Sequence, residues 1–257
     1  MVVSNMSSRT VSLLLAGWLS VISALASAEG TVIHILAYQQ PPFMESRNNK
    51  PLGLAVDVVK LLMERAGFDY DINFVPPKRA YVTAQSSPNH CMLAIERAQT
   101  IEALFQWISP ILITRHGFYS NASDKYDIRT LQDARPYVIG SYLGSGVGEY
   151  LEKYGFNVDF VSSNDLNILK LQRKRVDLWA TDTISAARLI YENDLQFKLV
   201  HTFLTTLRAM GCHLSLPQEI VGRLQSELMG MYQDGSVETL YQSYLGTHPP
   251  QLSDIQE

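Results

Sequence analysis

A carboxylate at a strand end, a charged pair where a strand breaks, an arginine at a helix start and a serine between two glycines are the residues here best placed for chemistry. Asp182 closes the apolar run 176–181. There a carboxylate facing a cleft would suit an ammonium group, and it would equally serve as the N-cap of the helix that follows. Glu96 and Arg97 break the run 91–95, short enough for a buried strand. A short helical pattern follows, with apolar Ile101, Leu104 and Phe105 at i, i+3 and i+4. The whole stretch 91–110 is expected to form one wall of a cleft. Arg79 follows Pro76-Pro77 at a helix start, where an anion could be held. Ser145, between Gly144 and Gly146, can offer a hydroxyl and backbone N–H groups to an anion, and the glycines alone fit a plain tight turn as well. This turn lacks a P-loop lysine and the spacing of a dinucleotide fingerprint, and it is not a G-x-S-x-G elbow. Tyr38 and Phe43 flank a proline-rich strand end and could stack on a ligand or join the core. No His or Cys stands at zinc spacing, so neither metal nor cofactor is expected.

The elements that must hold these residues alternate. Strands are expected over 31–38, 71–75, 91–95 and 111–121, with helices over 58–66 and from Lys78 onward, a βαβαβ series implying a largely parallel α/β sheet. The pattern restarts after 121. Strands at 137–140, 158–161 and 176–181 alternate with helices running to Tyr154, over 164–174 and over 183–191. Two further strands, 198–204 and 207–216, precede helices at 219–232 and 237–244. Asp57, near the start of its helix, suits the positive end of the helix dipole.

With 257 residues, 46% of them hydrophobic, the chain can bury one large or two small cores, and its net charge of −4 gives no basic field for nucleic acid or anionic membrane. Arg9, an apolar run over 11–25 and Ala26-Ser27-Ala28 read as a signal peptide cleaved after Ala28. The run is too short for the roughly 20 residues that span a bilayer, and no Cys follows the cleavage site for a lipid anchor. Export favours a disulfide between the two cysteines, Cys91 and Cys212, with two buried thiols as the alternative.

Six motifs in order then resemble the family 3 extracellular solute-binding proteins, the polar-amino-acid receptors of bacterial ABC importers. They are Tyr38…Pro42-Phe43, Gly53-Leu54-Ala55-Val56-Asp57, Phe105…Ser109-Pro110, Gly140…Gly144-Ser145-Gly146, Asp177…Asp182 and Asp234-Gly235…Tyr244-Leu245-Gly246. The resemblance spans about 31–246. It implies a type II periplasmic binding protein fold: two α/β lobes, each a mixed, mostly parallel sheet flanked by helices, joined by two hinge strands. Lobe 1 would take 29–115 and 203–257, lobe 2 would take 116–202, and both cysteines would then fall in lobe 1. Asp182 matches the family's ammonium-binding Asp and Ser145 its carboxylate-binding turn. The family's T-x-x-R, however, meets Ala98 and Ile101, and Glu96 stands where a small or hydroxyl residue is usual. A buried carboxylate left unpaired is costly, so a zwitterionic ligand needs another cation, with Arg97 and Arg79 as candidates.

The resemblance therefore implies a monomeric periplasmic protein that closes on a small polar ligand, an amino acid or related amine, and passes it to an inner-membrane ABC permease without breaking a bond. Tyr38, Phe43 and Trp107 would stack, Asp182 would meet an ammonium, Glu96 would lie in the cleft, and Arg79, Arg97 and Ser145 would take an anion. Two alternatives share the fold: a cyclohexadienyl or arogenate dehydratase-like enzyme with Glu96 as acid, and a stand-alone ligand sensor.

Overall fold

The first alternating stretch forms a parallel unit. In this computed structural model, which describes residues 31–245, β1 (Ile33–Ala37) is followed by a small hairpin, β2 (Glu45–Arg47) and β3 (Lys50–Leu52). The hairpin was not foreseen in the sequence. Its turn is Asn48-Asn49, both at positive φ (52° and 59°), the backbone that two-residue hairpins require and that Asn tolerates. Then come α1 (Leu54–Ala66), β4 (Tyr70–Phe74), α2 (Pro77–Ser86) and β5 (His90–Glu96). β1 pairs in parallel with both β4 and β5. α1 buries Val58, Val59, Leu62 and Met63 on one face and stops at Gly67, whose φ of 71° is the left-handed cap that glycine adopts without a Cβ penalty. Asp57 accepts a hydrogen bond from the Tyr244 hydroxyl (2.5 Å), a structural contact beyond its place in the first turn.

The expected helix after β5 is a short 3-10 helix, Gln99–Leu104, with no buried residue of its own, because six residues are too few to present an apolar stripe. Next come β6 (Gln106–Asn121), β7 (Ile139–Tyr142), α3 (Gly146–Lys153), β8 (Val158–Val161), α4 (Asn164–Gln172), β9 (Leu178–Asp182) and α5 (Thr183–Glu192). β7 pairs in parallel with β8 and β9. In place of the two strands expected over 198–204 and 207–216 runs a single one, β10 (Phe197–Cys212), with register shifts at three points. The polar Thr205-Thr206 reads as a break in sequence, yet β-branched threonines sit well in a strand, and both pair with β6. α6 (Gln218–Gln233) and α7 (Ser236–Leu245) complete the described chain.

The eight-stranded sheet has the order β4-β1-β5-β10-β6-β9-β7-β8. Its outer strands on each side are parallel, and the two 16-residue strands β6 and β10 pair antiparallel at its centre. One core packs β1, β5 and α1 against α6 and α7 through Ile33, Leu62, Leu93, Met210 and Leu228. Each such buried side chain stabilises by about 1.5–3 kcal/mol relative to exposure. The Tyr241 hydroxyl accepts the Ile113 N–H (2.9 Å) and donates to the Ile113 carbonyl (3.1 Å), pinning α7 to β6. Separate clusters cover the other side of the sheet, around Phe118, Ile139 and Leu178 and around Trp179 and Leu171. Cys91 and Cys212 oppose each other across β5 and β10, wholly buried, and form a disulfide. The expected signal peptide and the last residues lie outside the described residues, among which no helix is long and apolar enough to cross a membrane.

Candidate functional site

In open α/β sheets ligands bind beyond the carboxyl ends of the strands, and here those ends converge. β1 runs into Tyr38 and Gln40, β5 ends at Glu96, β7 ends at Tyr142 ahead of the 144–146 turn, and β9 ends at Asp182. His116 of β6 and Arg208 of β10 come up between them. Together these line a cavity of about 580 Å³, completed by Tyr81, Ile95, Ile101 and Thr181. That volume suits a small ligand. A wider surface hollow of about 760 Å³ lies between the β2–β3 hairpin, α5 and α7, but its charged residues Glu45, Arg47, Arg188 and Glu192 are all half-buried or exposed. The first cavity differs in holding buried charge.

Four of the eight expected ligand residues line it: Tyr38, Glu96, Ser145 and Asp182. Asp182 is 6% exposed and caps α5 by accepting the Ser185 N–H at 2.7 Å, so it is both a helix cap and a cavity carboxylate. Ser145 caps α3 by accepting the Gly148 N–H at 3.3 Å. The other four lie elsewhere. Phe43 is a core side chain, 1% exposed, drawn in because the 40–44 turn folds back on itself through hydrogen bonds from Phe43 N–H and Met44 N–H to the Gln40 carbonyl. Arg79 is exposed on the first turn of α2. Arg97 is exposed and turned toward Glu102, its Nε donating at 2.9 Å, and it stacks over Trp107 at 5.6 Å. Trp107 donates its indole N–H to the Glu102 carbonyl (2.8 Å) and packs edge-on against Phe105.

The cavity's cation is Arg208, which sequence reasoning missed. It is 4% exposed and reaches Glu96 Oε1 (3.1 Å), Gln40 Oε1 (3.2 Å) and the Ala94 carbonyl (3.4 Å), with its guanidinium 4.3 Å above the Phe43 ring. Arg208 opposes Glu96 directly in the β5–β10 ladder. A signal was present: Arg208 stands alone in the apolar stretch 207–212, and an arginine buried in a strand needs a partner. Phe43, expected at the ligand, serves instead as the floor beneath this arginine. His116 was missed as well, a histidine beside Arg115 within a long strand. It is 3% exposed, opposes Asp182 across β6 and β9, and contacts Thr206 Oγ1 at 3.0 Å through Nε2, while Nδ1 is buried without a partner.

Burial holds the His116 imidazole below its usual pKa, against the opposing pull of Asp182 and Glu96 and with Arg208 adding to the depression, so it is neutral near pH 7. Burial likewise raises the hydroxyls of Tyr38 and Tyr142, which stay protonated as hydrogen-bonding groups. Asp182 and partly buried Glu96, set against Arg208, give the cavity lining one more formal negative charge than positive, and exposed Glu149 adds another at the rim. The arrangement can bind and orient a polar molecule bearing a cationic end.

The chain has the α/β fold of the type II periplasmic binding proteins. Among solved structures it is similar to a histidine kinase sensor domain with similarity to periplasmic binding proteins, at a TM-score of 0.69 and 16% identity, covering 85% of this chain and 98% of that one. It is also similar to ArtJ of Geobacillus stearothermophilus, an arginine-, lysine- and histidine-binding protein (TM-score 0.66, 15% identity, 88% and 100% covered). A third similar structure is substrate binding domain 2 of Lactococcus lactis GlnP in open conformation (0.64, 16%, 85% and 97%). No protein-family model matches the sequence, and no curated protein does.

Proposed function

We propose that the protein is a solute-binding protein that captures a small amine-bearing polar molecule and hands it to an ABC importer. The observation that carries this reading is the roughly 580 Å³ cavity at the strand ends, lined from both sides of the central strands and holding buried Asp182 and Arg208. Residues 29–115 with 203–257 would form one lobe and 116–202 the other, hinged where β6 and β10 pass between them, and closure on the ligand would break no bond. Asp182 would take the ammonium, with the Tyr38 and Tyr142 rings alongside, where aromatic faces favour a cation. Cleavage after Ala28 would deliver a monomer to the periplasm, where the partner would be an inner-membrane permease.

Isothermal titration with paired amino acids and amines tests this. Binding tighter than about 1 mM, near 4 kcal/mol, is expected for at least one, and its absence across the panel contradicts the reading. The likeness to a histidine kinase sensor domain favours a second reading, a ligand sensor. The same cavity would serve it, and the two part on whether the liganded protein engages a permease or a signalling partner. An enzyme of the dehydratase kind finds less support, because Glu96, the acid it would need, is committed to an ion pair with Arg208. Prephenate and arogenate are expected to pass unchanged.

A further inference from the structure

The parts of this cavity that would grip an anion already face one. Glu96 Oε1 accepts from Arg208 at 3.1 Å. Its other oxygen, Oε2, lies only 2.9 Å from the point where a Cβ on Gly146 would sit, so the carboxylate rests directly against the backbone of Gly146 and a side chain there would push it aside. Gly146 is the first residue of α3, and the first N–H groups of a helix have no partner within it and attract negative charge. The carboxylate of β5 thus reaches the mouth of α3, bringing one anion to both the guanidinium and the helix start. Asp182 has no such cation among the described residues: it is buried on the far side of the cavity, and there its side chain accepts a hydrogen bond only from its own helix.

We propose that Glu96 supplies the cavity's anion itself, so that the ligand is a carboxylate-free amine, an alkylammonium or guanidinium cation, rather than a zwitterionic amino acid. The inference rests on the solute-binding reading above. An incoming carboxylate would have to displace Glu96 from Arg208 and from α3, leaving Glu96 a partly buried carboxylate with no cation while the ligand's one ammonium is taken by Asp182, and a charge withdrawn from water without a partner is costly. A cation without a carboxylate meets no such conflict. It pairs with Asp182, restores the charge balance of the lining, and leaves the Glu96–Arg208 pair intact. Ile101 and Ile95 offer the hydrocarbon part of such a ligand an apolar wall.

The test is calorimetry on matched pairs that differ only in the carboxylate: agmatine against arginine, cadaverine against lysine, putrescine against ornithine. At least one amine is expected to bind tenfold or more tightly than its amino acid. Glu96→Gln, which keeps the shape and removes the charge, frees Arg208 for a ligand carboxylate and is expected to move that ratio at least tenfold toward the amino acid. A thermal melt of the variant confirms that it is folded. An amino acid that outcompetes its own amine overturns the inference while leaving the solute-binding reading standing. An unchanged ratio in folded Glu96→Gln also overturns it. Failure of both members of every pair overturns the inference and the reading together.

Discussion

Two arginine–glutamate pairs stand at neighbouring places in this molecule and behave differently. Arg97 and Glu102 meet at the surface, with side chains 37% and 45% exposed. Arg208 and Glu96 meet at the cavity, with side chains 5% and 35% exposed. Glu96 and Arg97 are consecutive residues, and successive side chains of an extended strand point to opposite faces, so one turns into the cavity and the other onto Trp107 at the rim. Hydration decides what each pair can do. Water screens the outer pair, and such pairs contribute about 0–1 kcal/mol. The inner pair has lost most of its water on the arginine side, so each member depends on the other and on Gln40 and Phe43 around it.

The largest separation between the two should come from truncating the arginines. Arg208→Ala leaves Glu96 without its cation and opens space over Phe43, and is expected to cost about 3–5 kcal/mol, toward the lower figure because Glu96 keeps partial access to water. Urea denaturation measures this, and a loss below about 1 kcal/mol would put the inner pair in the same class as the outer one. Somewhat smaller is the effect of the bridge that locks the same two strands. Cys91→Ala together with Cys212→Ala removes a crosslink spanning 121 residues of sequence, and a loss of about 2–4 kcal/mol is expected by the same measurement.

His116 gives a subtler contrast, since it lies inside the cavity with Asp182, Glu96 and Arg208 facing it. Its folded pKa lies below the usual 6.5, so between the two values the unfolded chain binds the proton more readily. Its contribution is therefore complete above pH 6.5 and is lost as the pH falls below that toward the folded value. Stability measured from pH 7.5 to 5 should fall less steeply in His116→Gln than in the parent, and an identical slope would contradict a buried neutral imidazole. The smallest effect is expected at the rim, where Arg97→Ala should change stability by no more than about 0.5 kcal/mol.

The comparison also explains what was legible in the sequence. Strand and helix order could be read because apolar periodicity is local, and Asp182 and Ser145 because strand-to-helix turns carry recognisable caps. Arg79 and Arg97 attract notice for their charge and their neighbours in sequence, but both are exposed, because packing of the helix and strand that carry them, not charge, sets which way each side chain turns. Arg208 reaches Glu96 across 112 positions, through a strand register that no local pattern specifies. The Asn48-Asn49 hairpin was a local signal simply passed over. Phe43 could not be told from a ligand-facing aromatic because the 40–44 turn that buries it is fixed by hydrogen bonds rather than by hydropathy.

The most direct test of the central claim, that the buried cluster binds the ligand and the rim pair does not, is a parallel titration of Asp182→Asn and Arg97→Ala with the tightest-binding member of the matched panel. Asparagine caps a helix as well as aspartate does, so Asp182→Asn removes the charge and spares the fold. Affinity is expected to fall at least a hundredfold in Asp182→Asn and to stay within twofold in Arg97→Ala. Unchanged affinity in folded Asp182→Asn, or a loss confined to Arg97→Ala, would contradict the account.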